Sequence, residues 1–205
     1  MSQIRAIAVS VALIAMFGTS GPARAATASP SDVVSRLNDT VLSVMREAEP
    51  LGFQGRFDRL APELLGAFNF QVMASISVGK YWSKLDESQR RRLVDVFGRT
   101  SIATFASRFD GYSGEKFQIV EETPGPRDSV LVHNKLVKAD GDSVEINYLL
   151  RQYDGRWRVV DVFLDAKYSE MALKRSEYTS VIANQGFDSL IDSLEEKLTP
   201  LAGPP

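Results

Sequence analysis

The stretch SVEINYLLRQYDGRWRVVDVFL, Ser143 to Leu164, decides how this chain folds. At its centre Asp154-Gly155 is a strong two-residue hairpin signal, because a type I′ turn needs positive φ at both central positions and Asp-Gly tolerates it. That turn pairs Tyr153 with Arg156 and sets Ile146, Tyr148 and Leu150 on one face with Trp157, Val159 and Phe163. By the same parity Asp161 falls on that inward face, across from Tyr148.

Working upstream, the next turn contains Asp140-Gly141. A three-residue loop, Ala139-Asp140-Gly141 with Gly in the left-handed position, keeps Val130, Val132 and Leu136 on the face of Tyr148, whereas a two-residue loop would turn them away. Four β-like runs result: Lys116–Glu122, Ser129–Lys138, Ser143–Tyr153 and Arg156–Leu164. Before Gly111 the period is near 3.6 instead. A helix is expected from Pro30, capped by Ser31 or Asp32 and carrying Val34, Leu37, Val41, Val44 and Ala48 at three- and four-residue spacings until Pro50 and Gly52 end it. A shorter one covers FDRLAPELLGAF, Asn69 caps FQVMASISVGKYW, and Asp86 with Gln89 forms a capping box for a long helix through Leu93, Phe97, Ile102, Phe105 and Phe109. Two helices close the chain, Ser169 to about Gln185 and Asp188 to Leu198, with Gly186 between them. Helices, an antiparallel four-stranded meander and helices again read as α+β.

Residues 1–25, MSQIRAIAVSVALIAMFGTSGPARA, have an early Arg, an apolar run Ile7–Phe17 and a small-x-small end, the pattern of a secretory signal peptide. The run is shorter than the roughly 20 apolar residues of a membrane span. Residues 26–205 are therefore expected to be one exported domain. Removing Arg5 and Arg24 leaves 22 of the 24 basic residues against 26 acidic ones, which disfavours nucleic acid as a partner. With no Cys, packing and no disulfide framework must hold the domain.

Catalytic machinery is sparse. The chain has one His, no Cys, no G-x-S-x-G and no H-E-x-x-H, so neither a metal site nor a nucleophile triad is supported, and no catalytic residue or cofactor is assigned. His133 is read as a structural or surface residue, and Gln89-Arg90-Arg91-Arg92 as the solvated start of a helix. Asp161 has two readings: a general base with Tyr148 as hydrogen-bond partner, or a carboxylate held by a hydroxyl or free amides near the strand end. A third class is an adaptor without a cavity, docking through an exposed helix. Phe70, Met73, Phe97, Phe105 and Met171 are core residues by default, and their number against a sheet of Val, Ile, Tyr and Trp also suits an apolar cavity.

Three blocks of sequence resemble one family. Asn69-Phe70 with Met73-Ala74, Gly79 with Tyr81-Trp82, and Glu87 to Gln89-Arg90 with Phe97 resemble the D/N-F-x-x-M-A, G-x-Y-W and acid-rich Q-R elements of the periplasmic lipid carriers of the Mla pathway, the toluene-tolerance family. Trp157-Arg158-Val159-Val160-Asp161-Val162 resembles that family's W-(K/R)-V-x-D-V strand, and Arg175-Ser176-Glu177-Tyr178 its R-S-(Q/E)-(F/Y) helix. Asn184 to Leu190 is similar to its helix break before the terminal helix. The chain departs from the pattern at Leu164–Ala172, LDAKYSEMA, where the family has a short Gly-containing link, and this leaves a hopanoid-associated branch open.

The resemblance implies a twisted antiparallel sheet and helices enclosing an apolar pocket. It also implies a periplasmic, non-enzymatic shuttle for a phospholipid, or a hopanoid-like lipid second, serving outer-membrane lipid asymmetry. The implied partners are an inner-membrane ABC transporter with a membrane-tethered ring protein and an outer-membrane lipoprotein-porin complex. On this reading Phe70, Met73, Phe97, Phe105, Ile146, Tyr148, Val159, Phe163 and Met171 are the expected lipid-tail contacts.

Overall fold

The computed structural model describes residues 28–165 and 167–201. The expected signal peptide, residues 1–25, lies outside the described residues.

Helix α1, Pro30–Arg46, starts at a capping box on Ser29, two or three residues earlier than Ser31 or Asp32 would place it. Ser29 Oγ accepts from the Asp32 amide at 3.1 Å, and the Ser29 amide donates to Asp32 Oδ2 at 2.7 Å. Asp32 is thus the return partner of the box and Pro30 sits in the first turn, where its missing N–H costs nothing. Helix α2, Ala48–Ala67, follows almost at once. The first helix thus ends before Pro50, at Arg46, and the expected break at Gly52 falls inside α2: there φ is 57° and ψ −173°, a non-helical kink that a side chain would resist and that separates a short first piece from the body of the helix.

Helix α3, Phe70–Val78, is capped by Asn69, whose Oδ1 accepts from the Val72 amide at 3.1 Å. Gly79, at φ 50°, then tightens the expected continuation into a 3-10 helix, Gly79–Lys84. Helix α4, Glu87–Arg108, begins at the expected capping box, with Gln89 N to Asp86 Oδ1 at 2.8 Å and Asp86 N to Gln89 Oε1 at 3.0 Å.

The sheet is a meander in sequence order: β1 Lys116–Gly125, β2 Ser129–Val137, β3 Ser143–Tyr153, β4 Arg156–Leu164 and a two-residue edge, β5 Tyr168–Ser169, all antiparallel. It has one more strand than the four expected. Both hairpins form as read: Tyr153 faces Arg156 across Asp154 and Gly155, at φ 48° and 73°, and Lys138 N donates to Asp142 O across a three-residue loop with Gly141 at φ 94°. Helices α5, Glu170–Gln185, and α6, Phe187–Leu201, complete an α+β fold.

One irregularity changes the faces of β4. Leu150 pairs with Val159 but Leu149 pairs with Asp161, so Val160 is an extra residue and a β-bulge interrupts the alternation. Beyond the bulge Tyr148 faces Val162 and Ile146 faces Leu164. Val162 and Leu164, not Asp161 and Phe163, therefore share the face of Tyr148; Phe163 lies opposite Asn147 on the other side of the sheet.

Helix α1 packs on β1, β2 and β4, while α2, α3 and α5 reach β4. The α2–α3 corner is stitched to that strand: Phe68 forms an isolated parallel bridge to Val159, and the Asn69 amide donates to Val159 O at 2.9 Å. Helix α4 packs on α2, α3 and α6. The main core fills the space between helices and sheet, from Val34, Leu37 and Val41 through Leu60, Leu64 and Phe97 to Leu150, Val159 and Leu194.

Candidate functional site

Between α4 and the sheet lies a cavity of about 310 Å³. Its walls follow from secondary-structure periods. Ser101, Thr104, Phe105, Arg108 and Phe109 make one face of α4; Val144, Ile146 and Tyr148 alternate along β3; Val162 and Leu164 alternate on β4 after the bulge; Glu170, Met171 and Lys174 share a face of α5. Phe68, Met73 and Leu136 close the remainder, and Asp165 adds a carboxylate to the lining.

Phe68 stands edge-on to Phe105 at 5.9 Å and to Tyr148 at 6.4 Å, and Phe109 lies 5.6 Å from Phe105, so the apolar wall is aromatic. An engineered apolar cavity of about 150 Å³ already stays dry and takes benzene. A chamber of 310 Å³ is large enough for an alkyl chain, and its aromatic wall offers water few partners.

Of the nine expected tail contacts, the structure brings Met73, Phe105, Ile146, Tyr148 and Met171 together around this cavity. The other four sit elsewhere. Phe70 stacks on Phe68 at 5.6 Å and borders a groove on the outer side of α2 and α4; Phe97 is buried behind it, 6.2 Å away. Val159 is packed into the core under the α2–α3 corner, and Phe163 is on the far face of the sheet. The bulge at Val160 explains the last: one extra residue exchanges the faces of Asp161, Val162, Phe163 and Leu164 relative to an unbroken ladder. Phe68, Val162, Leu164 and the other α4 residues around Phe105, namely Ser101, Thr104, Arg108 and Phe109, were not among the expected contacts. The four-residue spacing of Ser101, Phe105 and Phe109 was the available signal for that helix.

Asp161 is not a cavity acid. Its Oδ2 accepts from Ser169 Oγ at 2.6 Å, and its Oδ1 accepts from the Met171 amide at 3.1 Å and the Val162 amide at 2.8 Å. Burial is the largest influence on its pKa and pushes it up, while these three hydrogen bonds oppose. Ser169 is also the N-cap of α5, so Asp161 fastens the LDAKYSEMA link and the helix start to β4. It is thus the reading with a hydroxyl and free amides, and the base facing Tyr148 does not form.

The remaining motifs are also held in structural contacts. His133 Nε2 lies 2.9 Å from Thr123 Oγ1. Arg90 stacks 5.4 Å over Trp82 and donates to its carbonyl, Arg91 pairs with Glu87, and Arg92 reaches Asp188 and Asp192 on α6. Among the described residues there is no cluster of three His, Cys, Asp or Glu side chains that could hold a metal, and no helix long and apolar enough to cross a membrane.

Residues 35–196 match the family model described as MlaC protein. The chain belongs to the MlaC family. Among solved structures, this MlaC-family chain is similar to the phospholipid-binding protein from Ralstonia solanacearum, solved in complex with a phospholipid. The TM-score is 0.75 at 19% identity, covering 85% of this chain and 99% of the other, which establishes the shared fold. No curated protein matches the chain.

Proposed function

We propose that this member of the MlaC family is a lipid carrier that holds acyl chains in the cavity between α4 and the sheet. The observation that carries this reading is the aromatic and aliphatic chamber of 310 Å³ with charged side chains in its lining, a shape that suits an amphiphile. The similar Ralstonia solanacearum fold, which is described as phospholipid-binding, supports a phospholipid as first cargo; a hopanoid-like lipid is second.

The physical need for such a protein is large. A two-chain lipid buries on the order of 30 methylenes at roughly 0.8 kcal/mol each, so its tails cannot cross water unprotected. We infer a periplasmic shuttle, exported by residues 1–25 and working as the single domain 26–205 between an inner-membrane ABC transporter with its tethered ring protein and an outer-membrane lipoprotein-porin complex. No catalytic step is assigned. Asp161, the acid that an enzyme would use, is occupied in fastening α5.

Incubating the delipidated chain with phospholipid vesicles, re-isolating it and extracting it for lipid mass spectrometry tests the carrier. Stoichiometric lipid supports it; a folded protein that emerges without lipid sinks it. Delivery from donor to acceptor vesicles, measured by fluorescence, tests the shuttle step separately.

A further inference from the structure

We propose that Lys80, Lys84 and Arg175 form a docking site for an acidic, extended segment of a partner protein, at a surface cleft between the 3-10 helix and α5. The cleft shares no lining residue with the chamber, and the proposal does not depend on what the chamber holds.

The cleft has a volume of about 410 Å³ and is walled by Lys80 and Tyr81 from the 3-10 helix and by Arg175, Ser176, Thr179 and Ser180 from α5, with no carboxylate in its lining. Two of the recognisable motifs meet here, Gly79–Trp82 and Arg175–Tyr178, and no residue of either lines the chamber. Gly79 allows the meeting: its φ is 50°, and a Cβ there would stand 2.8 Å from Arg175 Nε. The ammoniums of Lys80 and Lys84 lie 5.4 and 5.6 Å from the centre of the Tyr81 ring, so one ring gathers both beside the cleft.

The three cations are uncompensated. Among the described residues none of them has a carboxylate within ion-pair distance, whereas Arg59, Arg91, Arg92, Arg99 and Lys197 each do. The acids nearest in sequence are held elsewhere: Asp86 caps α4, Glu87 pairs with Arg91, and Glu177 pairs with Lys197 at 2.7 Å. The chain as a whole has more acids than bases, 26 against 24, so a cluster of this kind is a local exception. Like charges gathered at a recess repel one another and focus a positive field, and an anionic partner relieves the first through the second.

The neutral groups of the cleft select a peptide among anions. Ser180 Oγ accepts from Asn184 Nδ2 at 3.4 Å and keeps its own hydrogen to donate, while Thr179 Oγ1 donates to the Arg175 carbonyl at 2.6 Å and keeps lone pairs to accept. An extended chain brings a C=O for the first, an N–H for the second and carboxylates for the cations. A flat layer of lipid headgroups does not enter a recess walled by two helices.

The test titrates fluorescein-labelled hexaglutamate, with labelled hexaglutamine as the neutral control, against the full chain and follows fluorescence anisotropy. Saturable binding of hexaglutamate that weakens as salt rises is expected, with none for hexaglutamine. Lys80→Gln with Lys84→Gln, which leaves Arg175 packed on Gly79, should weaken binding at least about tenfold with an unchanged melting temperature, and adding Arg175→Gln should abolish it. Arg156→Gln, on the β3–β4 hairpin, should leave binding as it is. Absence of saturable hexaglutamate binding by the unaltered chain overturns the proposal, as does equal binding of hexaglutamine or an equal loss in Arg156→Gln. Co-sedimentation with phosphatidylglycerol vesicles that is lost in the Lys80 and Lys84 variant, without hexaglutamate binding, assigns the cations to a membrane surface and overturns the peptide site.

Discussion

Ser169, the N-cap of α5, donates its hydroxyl to Asp161 on β4 at 2.6 Å, while its oxygen accepts from the Ala172 amide at 2.9 Å. One short chain of hydrogen bonds thus joins the last long strand to the helix that supplies Met171 and Lys174 to the cavity wall. The link LDAKYSEMA is held at the point where it must position that wall.

Asp161→Ala removes an acceptor shared by three donors and should cost about 2–3 kcal/mol in denaturant unfolding. Asp161→Asn, which keeps one acceptor oxygen, should cost less. The pH dependence supplies a second reading. Burial raises the Asp161 pKa in the fold, so its contribution is fully present below the unfolded value of 3.8 and is lost as pH rises through the folded pKa. The Asn variant should lack that segment of the stability curve, measured by thermal melts across acidic pH.

Gly79→Ala should destabilise the protein even though the site is close to the surface. At φ 50° a side chain is strained, and an added Cβ would meet Arg175 Nε at 2.8 Å. The strain costs roughly 1–2 kcal/mol. The clash adds to it, and because Arg175 is a flexible neighbour, a double-mutant cycle with Arg175→Ala should recover the steric part and leave the backbone part.

Ile146→Trp places a large ring in the chamber from the middle of β3. Lipid loading should fall at least about tenfold, and the melting temperature should hold or rise because existing space is filled. Phe163→Ser, on the far face of the sheet, should leave loading unchanged. Equal loss in both variants would show that the bulge does not separate the two faces as described.

Lys174 predicts a signature at alkaline pH. Its folded pKa is depressed below 10.5, so the unfolded chain binds more protons between the two values, and stability should rise as pH increases through that window. Lys174→Met should flatten this rise, in melts monitored by circular dichroism. Burial also raises the Tyr148 and Tyr178 pKa values, which makes stability fall above about pH 10, so the reading is the difference between the two curves, and no difference between wild type and Lys174→Met in that window would contradict the burial of the ammonium.

Much of the architecture was legible because its signals are local. Asp154-Gly155 and the three-residue loop at Gly141 fixed both hairpins, and the Asp86–Gln89 box fixed the start of α4. Ser29 was passed over because its box partner, Asp32, is itself a good capping residue. The bulge was not legible: Val159-Val160 is a run of two β-branched residues that both become buried, and nothing in VVDVF marks which of them is extra. That single residue moved Phe163 off the expected wall and put Val162 and Leu164 on it.

The recognisable motifs proved to hold the walls more than to line them. Gly79 receives Arg175, Asn69 caps α3, Trp82 carries Arg90 and Asp161 fastens α5. Met73 and Tyr148 reach the chamber, but most of its lining comes from helix and strand faces whose only sequence mark is an ordinary apolar period.

Photo-crosslinking with a phospholipid bearing a diazirine in mid-chain, followed by peptide mapping, shows where the acyl chain sits. Labels are expected at Phe105, Ile146, Met171 and their neighbours in the chamber, and should be lost in Ile146→Trp. Labels confined to the outer groove of Leu65, Trp82 and Val94 would contradict binding in the chamber.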